Sequence, residues 1–216
     1  MIPEDSITVT TGATSVRHFM SEAVVEFRSR NPRAGLRFLT ASSSRDCLAA
    51  VRKQEADLAW VTIADPAEEG LELRPAANLP WMLAMRVGEL YADRAWVEVS
   101  ELSGLPLIRP SEDSVSGARL GAALAEVTPG ADRGSADWES ALLLAELGVG
   151  HAAVPRLPGP PPAGPLHLVP LRGIAPLRVG WAARSWAALS PAARSFAETV
   201  GRNARLRAWS TVTSAI

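Results

Sequence analysis

The chain has 216 residues, of which 47% are hydrophobic and 21% charged, with a formal net charge of -1. That balance excludes an intrinsically disordered chain and argues against a sequence-independent grip on DNA or RNA, which needs clustered positive charge. The single cysteine, Cys47, excludes a disulfide framework or a multi-thiolate metal site within one chain, and no apolar run reaches bilayer-spanning length.

The segment Met1 to Ser6 is polar, with acidic Glu4 and Asp5. It lacks the basic start and apolar stretch of a signal peptide, so a cytoplasmic location is expected. Ile7 to Val9 begins a β run that ends in Thr10, Thr11, Gly12, Ala13, Thr14 and Ser15. Val16, Phe19, Met20, Ala23, Val24 and Phe27 then recur at helical spacing. Thr14 or Ser15 is the expected N-cap of this helix, and Asn31-Pro32 its stop. Leu36 to Thr40 reads as a second strand. Ser43 and Asp46 have the spacing of a capping box and open a helix through Cys47, Leu48 and Val51. Asp57 to Ile63 is too apolar to have an exposed face and predicts a strand in a buried parallel sheet. The opening is therefore β-α-β-α-β.

Ala64 to Gly70 is a break, and the rhythm changes from Leu71. Strands are predicted at Leu79 to Val87 and Leu105 to Ile108, and helices at Arg119 to Val127 and Asp137 to Leu147, the last stopped by Gly148. His151 to Val154 is a short strand. Pro155 to Pro165 holds six prolines and two glycines and reads as a surface loop. His167 falls in a strand after that loop, and Leu177 to Ala183 is a late strand centred on Trp181. Ser190-Pro191 starts a final helix through Phe196, Ala197 and Val200. Thr211 to Ile216 are expected to fray.

Gly148-Val149-Gly150-His151-Ala152-Ala153 matches the dinucleotide fingerprint G-x-G-x-x-A in spelling only. That motif must leave a strand and open a helix, so that the pyrophosphate meets the helix N-terminus. Here it leaves a helix and enters a strand, so no dinucleotide cofactor is expected. There is no G-x-S-x-G elbow, and His18, His151 and His167 do not have metal-ligand spacing. No coherent catalytic set emerges, and neither a metal nor a cofactor is expected.

Small polar segments follow strand after strand: Thr11 to Ser15, Ser42 to Ser44, Thr62 to Asp65, Arg109 to Ser116 and Ser135 to Glu139. Each could be no more than a helix cap. Together they fit the crevice that carboxyl ends of parallel strands and following helix N-termini form around a ligand. Hydroxyls and exposed backbone N–H groups there suit a small anion.

The ordered set resembles the effector-binding domain of LysR-type transcriptional regulators, from Ile7 to about Arg202. The matching segments are FRSRNPRAGLRFL, LAAVRKQEADLAWV, LGVGHAAVP and LSPAARSFAETV. The resemblance implies an α/β fold of the type 2 periplasmic-binding-protein kind, with two Rossmann-like subdomains joined by two crossover strands. Subdomain I would comprise residues 1–64 and 178–216, and subdomain II residues 65–177, with a ligand cleft between them. It implies a non-enzymatic sensor of a small molecule, acting on DNA only through a winged helix-turn-helix that these residues do not include. A homodimer or higher homo-oligomer is expected. A solute-binding transport protein of the same fold is the runner-up, and an enzyme on this fold, such as a deaminase or dehydratase, is the third reading. The expected ligand residues are Thr11, Thr14 and Ser15 on one wall, with Arg109, Ser111 and Ser116 on the other. Ser42, Ile63 and Ala64 would form the floor, with Trp138 and Trp181 as apolar walls.

Overall fold

The computed structural model describes residues 6–64, 70–128, 130, 132–135, 137–160 and 164–210, the side chains of 132–135 and 206–210 excepted. The expected fraying at Thr211 to Ile216, Asp65, and the middle of the proline loop lie outside the described residues. The chain divides into two compact units, Met1–Asn78 with Arg178–Ile216, and Leu79–Leu177.

Unit 1 is built on a five-stranded sheet in the order β2-β1-β3-β11-β4. Its first strand, β1 (Ile7–Thr11), pairs in parallel with β2 (Leu36–Thr40) and β3 (Leu58–Thr62). The expected all-parallel surroundings of β3 hold on one side only. On its other side β11 (Leu177–Ala183) runs antiparallel to it, with Trp181 opposite Trp60. Beyond β11 lies β4 (Glu72–Leu79).

Two apolar clusters cover the faces of this sheet. On one, α3 (Ser44–Arg52) buries Cys47, Leu48 and Val51 against Ala59, Val61 and Ile63. On the other, Trp60 stacks tilted on Phe19 and edge-on to Trp181, each at 5.1 Å between ring centroids. Phe196 of α6 (Pro191–Ser210) meets Trp181, Phe27 and Phe38 edge-on. Such offset and perpendicular arrangements suit the ring quadrupoles and contribute beyond burial alone.

The first helix is longer than its apolar stripe predicts. It opens with a short turn, α1 (Ala13–Ser15), passes through a π-helical turn at Val16–Met20 and continues as α2 (Ser21–Arg30). The π turn lets adjacent Phe19 and Met20 both point inward, where each is buried. Asn31 ends the helix, its side-chain amide donating to the Phe27 carbonyl at 3.0 Å.

Unit 2 carries a six-stranded sheet in the order β6-β10-β5-β9-β7-β8. Its centre is β5 (Trp81–Arg86), antiparallel to both β9 (His151–Pro155) and β10 (Leu166–Arg172). Short β6 (Val97–Glu98) pairs in parallel with β10. On the other side, β7 (Leu107–Arg109) runs parallel to both β9 and β8 (Asp132–Ser135). One face packs on α5 (Trp138–Glu146), where Ala141 and Ala145 meet Met82, Ala84, Ile108, Ala152 and Val154. Alanines on that helix let it lie close to the sheet. Gly148, with φ of 77°, ends the turn after α5 and leads into β9, so this segment leaves a helix and enters a strand. His151 is buried at the start of β9, with Nε2 3.1 Å from Glu89 Oε2.

Two boundaries differ from the sequence reading. The first changeover between units falls at Asn78 and Leu79, not after Ala64, because β4 adds to the first sheet. The helix expected at Arg119 to Val127 is α4 (Val115–Ala123), because the Ser114 cap starts it at Val115, four residues before Arg119.

Candidate functional site

In unit 1 the parallel strands β1, β2 and β3 place their carboxyl ends along one edge of the sheet. Thr11, Thr14, Ser15, Ser42, Ile63 and Ala64 all follow or end these strands. Thr11 is fully buried, and its hydroxyl donates to the Trp60 carbonyl at 3.0 Å. It therefore ties β1 to β3 rather than presenting a hydroxyl outward. Gly12, not Thr14 or Ser15, occupies the N-cap, and no side chain caps this helix. That corrects the expected cap. Thr14 and Ser15 sit in the first turn, both half-buried. The Ser15 amide donates to the Gly12 carbonyl at 3.0 Å.

Ser42 and Ser43 converge on one carboxylate. Their hydroxyls donate to Asp46 Oδ2 at 3.1 and 2.7 Å, and Ser43 Oγ accepts from the Asp46 amide at 3.1 Å. The Ser43 hydroxyl first, then that of Ser42, holds the Asp46 carboxyl below its ordinary value. Ser44 turns the other way and accepts from the Thr62 amide at 3.1 Å, closing the end of β3. Ile63 is buried in the cluster under α3, and Ala64 is half-buried beside it in sequence.

In unit 2 the carboxyl ends of the parallel strands β7 and β8 share an edge, with Arg109 opposite Ser135. The Arg109 side chain is only 25% exposed, and its NH1 lies 3.9 Å from Glu112 Oε1. The loop that follows is closed by Ser114. Its hydroxyl donates to the Ser111 carbonyl at 2.6 Å, accepts from the Gly117 amide at 2.9 Å and lies 3.1 Å from Ser116 Oγ. Ser116 is buried and Ser111 exposed. Gly117 is required here: a Cβ at that position would overlap the Ser111 carbonyl. Trp138 is half-buried at the first position of α5, behind Asp137. Asp137 Oδ1 accepts from the amides of Glu139 and Ser140, both at 3.0 Å. The Ser140 amide above all, helped by the Ser140 hydroxyl and the Glu139 amide, holds this carboxyl low against the opposing cost of burial.

Trp181 stands apart from these groups. It is 2% exposed in the middle of β11, and its Nε1 donates to the Ala197 carbonyl. This places it in the aromatic core of unit 1. Sequence reasoning passed over Gly12, Ser114 and Gly117 as individual residues. The Ser-x-x-Gly spacing of Ser114 and Gly117 was the readable signal for the loop closure. Among the described residues there is no cluster of His, Cys, Asp and Glu able to hold a metal ion. No helix of the described residues is long and apolar enough to cross a membrane.

Two α/β units, linked by two passages of the chain, with polar segments at the carboxyl ends of parallel strands, define a type 2 periplasmic-binding-protein-like domain. The family model for the LysR substrate binding domain matches residues 3–205. The chain belongs to that family, and is an effector-sensing regulatory domain of the LysR type. Its fold is similar to HinK, a LysR family transcriptional regulator from Pseudomonas aeruginosa, at a TM-score of 0.79 and 16% identity over 94% of this chain and 72% of that one. It is also similar to the effector binding domain of QuiR in complex with shikimate, at a TM-score of 0.76 and 14% identity over 93% of this chain and 97% of that one. The BenM effector binding domain with its effector benzoate aligns at 0.74 and 16% identity, over 96% of this chain and 94% of that one. No curated protein sequence gives a significant match.

Proposed function

We propose that this domain binds a small carboxylate or similarly polar molecule between its two units. The contacts would come from Thr14 and Ser15 on one side, and from Arg109 and the Ser111 to Ser116 loop on the other. The observation that carries the reading is the paired arrangement of strand ends. In each unit, parallel strands deliver a polar turn and a helix N-terminus to one sheet edge. A helix N-terminus favours an anion, and an Arg fork can clamp a carboxylate through two parallel hydrogen bonds. Ser42 would contribute less, because its hydroxyl already serves Asp46.

Binding would bias the populations of two arrangements of the domain, as far as the ligand's differential affinity allows. A winged helix-turn-helix outside these residues would carry that bias to DNA in the cytoplasm. Self-association would supply the second half of a two-fold DNA site.

The test is a thermal-shift screen followed by calorimetry. Shikimate and benzoate, bound by two structural neighbours, are the first carboxylates to try. A ligand at 100 times its Kd should add about 2.7 kcal/mol of apparent stability. Arg109→Ala should then weaken the ligand by about 1.5–3 kcal/mol, as should loss of a charge-assisted contact in Thr14→Val or Ser15→Ala. Unchanged affinity in all three variants, with the fold intact, would place the site elsewhere.

A further inference from the structure

We propose that Arg119 is a positioning residue that clamps the second crossover onto unit 2, confining flexure of that crossover to the peptide links around Leu177. The clamp stands on hydrogen bonds within each unit and does not depend on which molecule the domain binds.

The chain changes unit twice, at Asn78/Leu79 and at Leu177/Arg178. Each passage into or out of unit 2 is marked by a proline on the unit 2 side. At the first, Pro80 is the single residue between β4 and β5. At the second, Pro176 precedes Leu177, the first residue of β11. Proline has no N–H, so it cannot be held by donating to a strand. Its carbonyl is the remaining main-chain handle, and in both cases unit 2 takes hold of it. The Pro80 carbonyl accepts from the Arg156 amide at 2.7 Å. The Pro176 carbonyl accepts from Arg119 NH1, also at 2.7 Å. Next to it, the Ala175 carbonyl accepts from Trp81 Nε1 at 3.2 Å, which ties the two passages to each other.

Unit 1 takes over almost at once. The Arg178 carbonyl accepts from the Ile63 amide at 2.8 Å. The last carbonyl held by unit 2 and the first held by unit 1 are thus two residues apart, with buried Leu177 between them. The two anchors differ in kind. The first uses a main-chain donor that no substitution other than proline removes. The second uses a guanidinium, whose charge-assisted bond is the stronger type but is open to mutation. Arg119 also lies on α4, one turn beyond Ser116 and the Ser114 cap. The loop from Ser111 to Ser114 and the crossover at Pro176 are therefore held by opposite ends of one short helical segment.

Hydrogen exchange of the full chain, read by mass spectrometry, tests the clamp with Arg119→Met and Arg119→Gln, neither of which can reach as a cationic fork. Arg156→Ala is the control, because only the Arg156 main chain is used. The expected result is at least tenfold faster exchange in peptides covering residues 173–177 for either Arg119 variant. Peptides from β9 and from β3 should keep wild-type exchange, and Arg156→Ala should match wild type throughout. If Arg119→Met fails to fold, Arg119→Gln alone carries the comparison. Wild-type exchange at 173–177 in a folded Arg119 variant overturns the proposal. Acceleration spread evenly over unit 2 also overturns it, since that is loss of general stability.

Discussion

The indole Nε1 of Trp181 donates to the Ala197 carbonyl at 3.0 Å, joining β11 to the second turn of α6. The bond spans two elements that pack through Phe196, and both indole and phenyl rings are buried. Trp181→Phe keeps most of the ring and removes this bond, so it should cost about 0.5–1.5 kcal/mol. Trp181→Ala also empties the centre of the aromatic cluster and should cost about 3–5 kcal/mol. Urea unfolding measures both. A Phe variant that alters carboxylate affinity at unchanged stability would return Trp181 to the ligand wall.

Asp137 gives a pH-dependent prediction. Its carboxyl is held below the ordinary value of 3.8, chiefly by the Ser140 amide. A lowered folded value means that the stabilisation is complete above the ordinary range and disappears as pH falls through the lower, folded one. Asp137→Ala should therefore cost about 0.5–2 kcal/mol near neutral pH, the usual span for losing an N-cap. Stability curves of wild type and variant should converge below pH 3.8. A gap of constant size down to pH 2.5 would show that the carboxylate charge contributes nothing at this cap.

Two glycines stand where backbones meet. A Cβ at Gly117 would overlap the Ser111 carbonyl, and one at Gly180 would overlap the Arg74 carbonyl of β4. Each alanine substitution should cost about 1–3 kcal/mol through forced backbone movement. The two should differ in function. Gly117→Ala displaces the Ser111 to Ser114 loop and should weaken carboxylate binding, whereas Gly180→Ala, inside unit 1, should leave unit 2 spectra unchanged. Amide NMR shifts separate the two outcomes.

Cys47 should be unreactive in the folded protein. It is buried under α3, and burial pushes its thiol up, against a smaller opposing effect of the Thr10 hydroxyl. Since the thiolate is the nucleophile, the raised thiol pKa and the lack of access both suppress attack. Ellman's reagent at pH 8 should detect no thiol in buffer and one in denaturing urea. Rapid labelling without denaturant would mean that α3 does not stay on its sheet.

Much of the fold was legible because period and punctuation agreed. The spacing of Phe19, Ala23 and Phe27, stopped at Asn31-Pro32, located the first helix, and Ser190-Pro191 located the start of the last. The strand β4 was not legible. Its sequence, Glu-Leu-Arg-Pro-Ala-Ala-Asn-Leu, carries charge, a proline and little β-branching. It is a strand because it lies at the sheet edge, where Pro75 is tolerated and β11 supplies the pairing from about a hundred residues away. The candidate site was legible as a set of polar strand ends, not as a set of available hydroxyls. Thr11 serves Trp60 across 49 residues of sequence, a commitment that no local pattern encodes.

The position of β11 between β3 and β4 has a consequence for how the chain matures on the ribosome. Unit 2 is one unbroken segment and holds every strand of its own sheet before residue 178 is made. Unit 1 must wait. Until β11 emerges, β3 and β4 each present an open flank, and the Trp60 ring lacks Trp181 against it. The middle of the chain can thus fold ahead of both its ends, and a nascent chain exposed only as far as residue 177 carries a complete unit 2 tethered to a sticky, unfinished N-terminal sheet.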